Sequence, residues 1–306
     1  MRGILGFLLV LVIAGAAAWF LWGQDLGLTP KPVPAAGTEP QPNPGAGPAP
    51  PAEPVVPADD GGAEQPASEP QPEPQGPAGP DSPAPAGPSF ARYDTADLIP
   101  TSGSGYADRA LWAEGICFPI KAKAFANSQV WGKGGYKGPP GGQCAESNYD
   151  YPWRDNFCEA RSRTNRFCGS SAGHQGQDIR PESCKSKVWQ AVAVDDGVIS
   201  KIGSYSVYLK SDKAARTYVY LHLDRASVVA KWKVGDHLKR GEVVGLVSND
   251  FGGELTTIHL HFEVLADVST ALNDGTLAGA RLAAPPYSSL VAAYERKLAG
   301  TDTGCS

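Results

Sequence analysis

The chain has 306 residues, 42% of them hydrophobic, which allows one or two domains with a real core. A net charge of −5 speaks against a nucleic-acid binder, which would show a basic balance. Residues 1–89 hold only two basic side chains, Arg2 and Lys31, against nine acidic ones, which leaves 25 basic and 23 acidic groups in residues 90–306. That part is near neutral, so charge alone names no partner.

The chain opens with Arg2 and then a run of 21 residues, Gly3 to Gly23, without a charge. A secretory apolar region is about 7–15 residues long, whereas a membrane-spanning helix needs about 20. The length of the run and Trp19 and Trp22 near its far end predict a membrane anchor over 1–23, with Arg2 cytoplasmic and the remainder outside. The alternative is a signal peptide cut after Ala16-Ala17-Ala18, although the apolar run continues past these small residues to Trp22. Both readings export the chain to the cell envelope, and the first leaves it anchored in the inner membrane with the carboxy-terminal part periplasmic. Residues 24–89 then read as a linker: Pro30 to Pro88 contains 20 of the 28 prolines, among Ala, Gly, Glu and Gln. Such a segment has too little to bury to offset its ordering entropy, which predicts a disordered spacer with polyproline II character.

Residues 90–306 form the predicted folded domain, with order starting near Phe90. Residues 106–170 are aromatic and cysteine-rich, without clear periodicity. Trp131 to Gln143 is glycine-rich but lacks the Gly-Lys-Ser/Thr ending of a phosphate-cradling loop, so it reads as plain loop with a place in a cleft wall. All six cysteines, Cys117, Cys144, Cys158, Cys168, Cys184 and Cys305, lie in the exported part, and the even count predicts disulfides. Six cysteines allow fifteen pairings, among which sequence does not choose. A catalytic thiol at Cys168 beside His174 is the sharper alternative. It would leave an odd number of cysteines to pair.

The chemistry concentrates farther on. Ile258 to Val264 alternates polar and apolar residues as a half-buried strand does, so His259 and His261 share one face and Leu260, Phe262 and Val264 the other. Two imidazoles on a rigid strand suit a metal site, although such a pair alone also fits a wet sheet face. His174 and Asp178, four apart in the glycine-bearing stretch Gly173 to Ile179, can converge on one ion. Between these motifs lie β-prone runs at 188–193, 197–202, 205–210, 216–223 and 243–247. The Asp196-Gly197 step predicts a hairpin between the first two. In the run 216–223, alternation puts Tyr218, Tyr220 and His222 on one face. His237 reads as a solvated turn residue. Leu290, Val291, Tyr294 and Leu298 form the apolar stripe of a short helix at about 287–299. The prediction is a mostly β domain, an antiparallel sheet or sandwich.

These motifs resemble the lysostaphin/LytM-type zinc metallopeptidases, which cut peptide cross-links in bacterial peptidoglycan. The matching residues are His174-x-Gly176-x-Asp178, Tyr220-Leu221-His222-Leu223 and His259-Leu260-His261-Phe262-Glu263, together with Asp196 to Ile199 and Val234 to Gly245. They cover about residues 170–268. The resemblance implies one Zn2+ per chain on His174, Asp178 and His261, with His222 and His259 free for catalysis, and leaves open which of the two is the general base. Three protein ligands would leave an open position for water, the mark of a catalytic site. The implied partners are peptidoglycan stem peptides and cross-bridges, met by a monomer. One departure is the stretch Ser248 to Thr257, which carries two acids and Phe251 where the family often has a small glycine- and threonine-rich loop. The rival readings are a non-catalytic wall protein of the same fold that activates an amidase, a thiol-dependent wall hydrolase, and a module that only grips peptidoglycan.

Overall fold

A computed structural model describes residues 90–305, except 133, 138–141, 150 and 151. The predicted anchor and linker lie outside the described residues. Among the described residues, no helix is long and apolar enough to cross a membrane.

Twelve strands follow in chain order: β1 (Ala124–Ala126), β2 (Gln177–Pro181), β3 (Gln190–Val192), β4 (Gly197–Ile202), β5 (Ser206–Ser211), β6 (Thr217–Leu221), β7 (His237–Leu238), β8 (Val243–Leu246), β9 (Asp250–Phe251), β10 (Glu254–Leu255), β11 (Leu260–Ala266) and β12 (Leu282–Ala284). Helix α1 (Arg225–Val229) follows β6, and α2 (Tyr287–Leu298) closes the domain. The main sheet runs β1-β2-β11-β6-β5-β4-β7, with β12 on the free part of β11, and all its pairings are antiparallel. β3–β8 and β9–β10 are separate two-stranded ribbons. The mostly antiparallel β prediction agrees with this.

Alternation decides what the central strands bury. On β11, Leu260, Phe262 and Val264 are fully buried, and Phe262 sits opposite Tyr220 of β6, also fully buried. This face packs under Ile116, Phe118, Ile120 and Trp153 of the head and under Leu290 and Tyr294 of α2. The ring of Tyr294 lies 4.5 Å from Trp153, 4.8 Å from Phe118 and 4.9 Å from Phe90, so aromatic contact joins the irregular head to the last helix. Of the predicted helical stripe, Leu290, Val291 and Tyr294 are buried, while Leu298 is 42% exposed and packs nothing away.

Two expectations are corrected. The Asp-Gly step does not close a hairpin: β3 pairs with β8, while β4 pairs with β5 and β7. The local turn signal is genuine, but β3 finds its hydrogen bonds some fifty residues later in the chain, and the chain passes from the ribbon into the main sheet. The catalytic-thiol reading also fails, because the cysteines pair as Cys117–Cys305, Cys144–Cys184 and Cys158–Cys168. No free cysteine remains among the described residues. Two bridges tie the head to later parts of the domain and the third closes a loop within it.

Candidate metal and catalytic site

The site is assembled by register. In the antiparallel pair of β2 with β11, Asp178 lies directly opposite His261, so two motifs 83 positions apart meet across one ladder. His174 approaches from the loop that enters β2. Gly176 makes this entry fit: a Cβ there would stand 2.4 Å from the carbonyl oxygen of Phe262 and 2.8 Å from His261 Nε2.

Three donor atoms face one another. His174 Nε2 is 2.9 Å from His261 Nδ1 and 3.2 Å from Asp178 Oδ1, and His261 Nδ1 is 3.1 Å from the same oxygen. All three residues are buried and their ligand atoms lie within 4.8 Å of one another. Zinc bonds of about 2.0–2.1 Å in a tetrahedron put donor atoms about 3.3 Å apart, close to the observed triangle. The outer shell fits equally well. His174 Nδ1 lies 3.0 Å from the Asn156 carbonyl, which can only accept, so Nδ1 carries the proton and Nε2 turns its lone pair inward. His261 Nε2 lies 2.9 Å from Glu263 Oε1, which directs Nδ1 inward in the same way. Asp178 keeps Oδ1 for the triangle while Oδ2 accepts from Asn156 Nδ2 at 2.9 Å and from the Gln129 amide at 3.3 Å.

The electrostatics match this donor set. Burial opposes ionisation of Asp178, but His174 and His259 outweigh it and hold the carboxyl well below its usual range. Burial likewise opposes a charge on His261, yet Asp178 and Glu263 push it up to about 9. A dication held by these donors would compete with that proton. Burial pulls His174 down.

The remaining two histidines stand beside the triangle. His259 Nε2 is 3.5 Å from Asp178 Oδ1, while its Nδ1 lies 2.8 Å from the Thr257 carbonyl. The rings of His222 and His259 are 4.4 Å apart. His222 corrects the sequence reading of β6. Simple alternation would put it on the core face with Tyr218 and Tyr220. Instead its φ is +65°, a left-handed backbone that costs a non-glycine residue energy and persists only when neighbours enforce it. Ser248 does so: its amide donates to the His222 carbonyl at 2.7 Å and its hydroxyl at 2.9 Å. The twist swings the imidazole to the cleft side, while Leu223 returns to the core. There His222 Nδ1 is 2.9 Å from the Asp250 carbonyl, which leaves Nε2 as the basic nitrogen. Burial and the neighbouring His259 hold His222 well below its usual pKa, so the ring is neutral at physiological pH.

The unusual stretch 248–257 forms the exposed β9–β10 hairpin, turning on Gly252 and Gly253, both at positive φ. Phe251 lies 5.5 Å from the His222 ring, and Tyr205 stacks on that ring at 5.8 Å. The glycine-rich loop is also a cleft wall: Tyr136 lines the cleft, and Gln143 Oε1 accepts from the Ile258 amide at 2.8 Å. Sequence reasoning brought out all five metal-side and flanking residues. It missed Asn156, Gln129, Arg161 and Arg163, whose segment shows no periodicity that would mark them. His237 is exposed and pairs with Asp212, away from the cleft.

Residues 172–273 match the sequence profile of peptidase family M23. Similar solved structures include a chain described as a glycyl-glycine endopeptidase, lytM, from Ruminococcus gnavus, with 21% identity, a TM-score of 0.38, and coverage of 61% of this chain and 63% of that one. The chain thus spans less than two thirds of that relative. The lysostaphin catalytic domain from Staphylococcus simulans has 21% identity and a TM-score of 0.30, over 44% of this chain and 92% of that one. A zinc-containing peptidase from Vibrio cholerae has 26% identity and a TM-score of 0.25, over 34% and 31%. No curated protein matches the sequence.

Proposed function

We propose, from the match of residues 172–273 to peptidase family M23, that this chain is a zinc-dependent endopeptidase that hydrolyses peptide cross-links of bacterial peptidoglycan. The observation that carries the reading is the triangle of His174 Nε2, Asp178 Oδ1 and His261 Nδ1, with every outer partner in place. These three would hold the ion. Bound zinc supplies a Lewis acid and lowers the pKa of water to about 7.

The chain's own residues do the rest. Asn156 and Glu263 orient the two ligand imidazoles, and Asn156 and Gln129 hold the second oxygen of Asp178. The Asp250 carbonyl fixes a proton on His222 Nδ1, so its Nε2 is free to take a proton from an attacking water. His259, whose Nδ1–H is likewise taken by the Thr257 carbonyl, presents Nε2 on the same side and, once that nitrogen has taken up a proton, suits its donation to the developing oxyanion or the leaving amine. A binding module without catalysis would not need two oriented imidazoles beside a complete ligand set.

The same reading puts residues 90–306 outside the cytoplasm, tethered by 24–89 and anchored by 1–23. Three disulfides without a free thiol among the described residues fit an oxidising compartment. Amino-terminal sequencing of the mature protein checks the anchor: a terminus near Trp19 would contradict it. The enzymatic reading is tested by digesting purified peptidoglycan with and without a chelator and weighing the released fragments. Chelator-sensitive release of cleaved cross-links supports it, and release untouched by chelator overturns it.

A further inference from the structure

We propose that Arg161 and Arg163 form a carboxylate-binding edge of the cleft, so that the preferred substrate is a peptide with a free carboxylate close to the scissile amide. This rests on the peptidase reading and names the substrate class within it. Among the described residues, these two arginines are the cationic side chains of the cleft wall. Their backbone is tied to that of the first metal motif: the His174 amide donates to the Glu159 carbonyl at 2.9 Å and the Gly173 amide to the Arg163 carbonyl at 2.8 Å. The backbone that carries the two arginines is therefore tied to the segment that carries the first metal-site histidine.

The nearby carboxylates do not cancel this edge. Asp178 faces the imidazoles. Glu159 Oε2 accepts from Arg161 Nη2 at 2.8 Å, and Glu263 lies 2.9 Å from His261 and 3.5 Å from Arg163 Nη1. Both glutamates are buried, so they stand behind the guanidinium groups rather than in the groove. Arg161 is braced by its bonds to Glu159 and to the Ala160 carbonyl. The Arg163 side chain is 53% exposed, and its one carboxylate contact is long, so most of its five N–H donors point to solvent. Near His222 the cleft is instead aromatic, with Phe251 half-exposed. A peptide crossing this site meets an apolar lip on one side and planar cations on the other. A neutral glycyl chain would leave those cations unmatched, whereas a carboxylate matches the guanidinium fork.

The test uses the zinc-loaded full chain and two cross-linked peptides, one with free side-chain carboxylates and one with the same groups amidated. Wild type should favour the acidic peptide in kcat/KM by about 10- to 100-fold, the range of a charge-assisted hydrogen bond. Arg163→Gln should shrink this preference several-fold with zinc content unchanged. Arg161→Lys, which keeps the partner of Glu159, guards against a folding effect of removing that charge. Binding of both peptides at equilibrium is measured in parallel, so the edge is judged even if neither peptide is cut. Absence of cleavage of both would sink the peptidase reading, while tighter binding of the acidic peptide would still uphold the edge. Equal handling of both peptides by wild type overturns it. So does an Arg163→Gln variant in which both peptides suffer alike, which would mean Arg163 acts only through Glu263 on His261.

Discussion

Glu263 lies behind His261, where it fixes the tautomer that turns Nδ1 toward Asp178. Removing such an outer partner commonly costs about 10–100-fold in metal affinity. Glu263→Ala should weaken zinc retention by that amount in a competition with a chelator of known affinity, and unchanged affinity would show that the carboxylate is incidental. Asp155 offers a test away from the metal. Burial raises its pKa from 3.8 to about 6, partly offset by hydrogen bonds from the Phe157, Ala96 and Asn156 amides. The folded chain therefore holds this proton more tightly than the unfolded chain. The stability linked to it is complete below about pH 4 and is lost as pH rises through about 6. Unfolding measured across pH 4–6 should show Asp155→Asn gaining on wild type by at most about 3 kcal/mol. A pH-independent gap would mean that Asp155 titrates normally.

At the scale of elements, Cys144–Cys184 staples the glycine-rich cleft wall to the chain just beyond β2, closing a separation of 40 residues. Replacing both cysteines by Ser should lower stability by about 2–4 kcal/mol and slow cleavage while zinc stays bound, since no metal ligand lies on that wall. Unfolding curves with zinc analysis check this, and loss of zinc with the staple would contradict it. The elements also show where the sequence was legible. His259 and His261 two apart, and His174 and Asp178 four apart, carry their meaning locally, because strand alternation and a short loop suffice to aim them. Tyr218, Tyr220 and Phe262 followed the same alternation into the core. His222 escaped it, since the left-handed twist depends on Ser248, far along the chain. Asn156, Gln129 and the two arginines sit in a segment held by disulfides and aromatic contacts, whose positions no periodicity encodes. The partner of β3 was likewise a matter of distant pairing rather than of the turn signal beside it.

At the scale of the molecule, the Cys117–Cys305 bridge spans 188 residues, and α2 buries Tyr294 against Trp153 of the head. The domain is thus closed on itself from its first aromatic residue to its last cysteine. Residues 90–306 produced without 1–89 should unfold in one transition and carry as much zinc as the full chain. Two transitions, or zinc loss, would mean that the earlier residues belong to the fold. The central claim is the division of labour among five side chains. It is tested most directly by elemental analysis of zinc beside peptidoglycan cleavage in His174→Ala, Asp178→Ala, His261→Ala, His222→Ala and His259→Ala. The first three should lose both zinc and activity. The last two should keep about one zinc per chain and lose about 10²–10⁴-fold in cleavage rate. Zinc lost from His259→Ala but kept by His261→Ala would contradict the assignment.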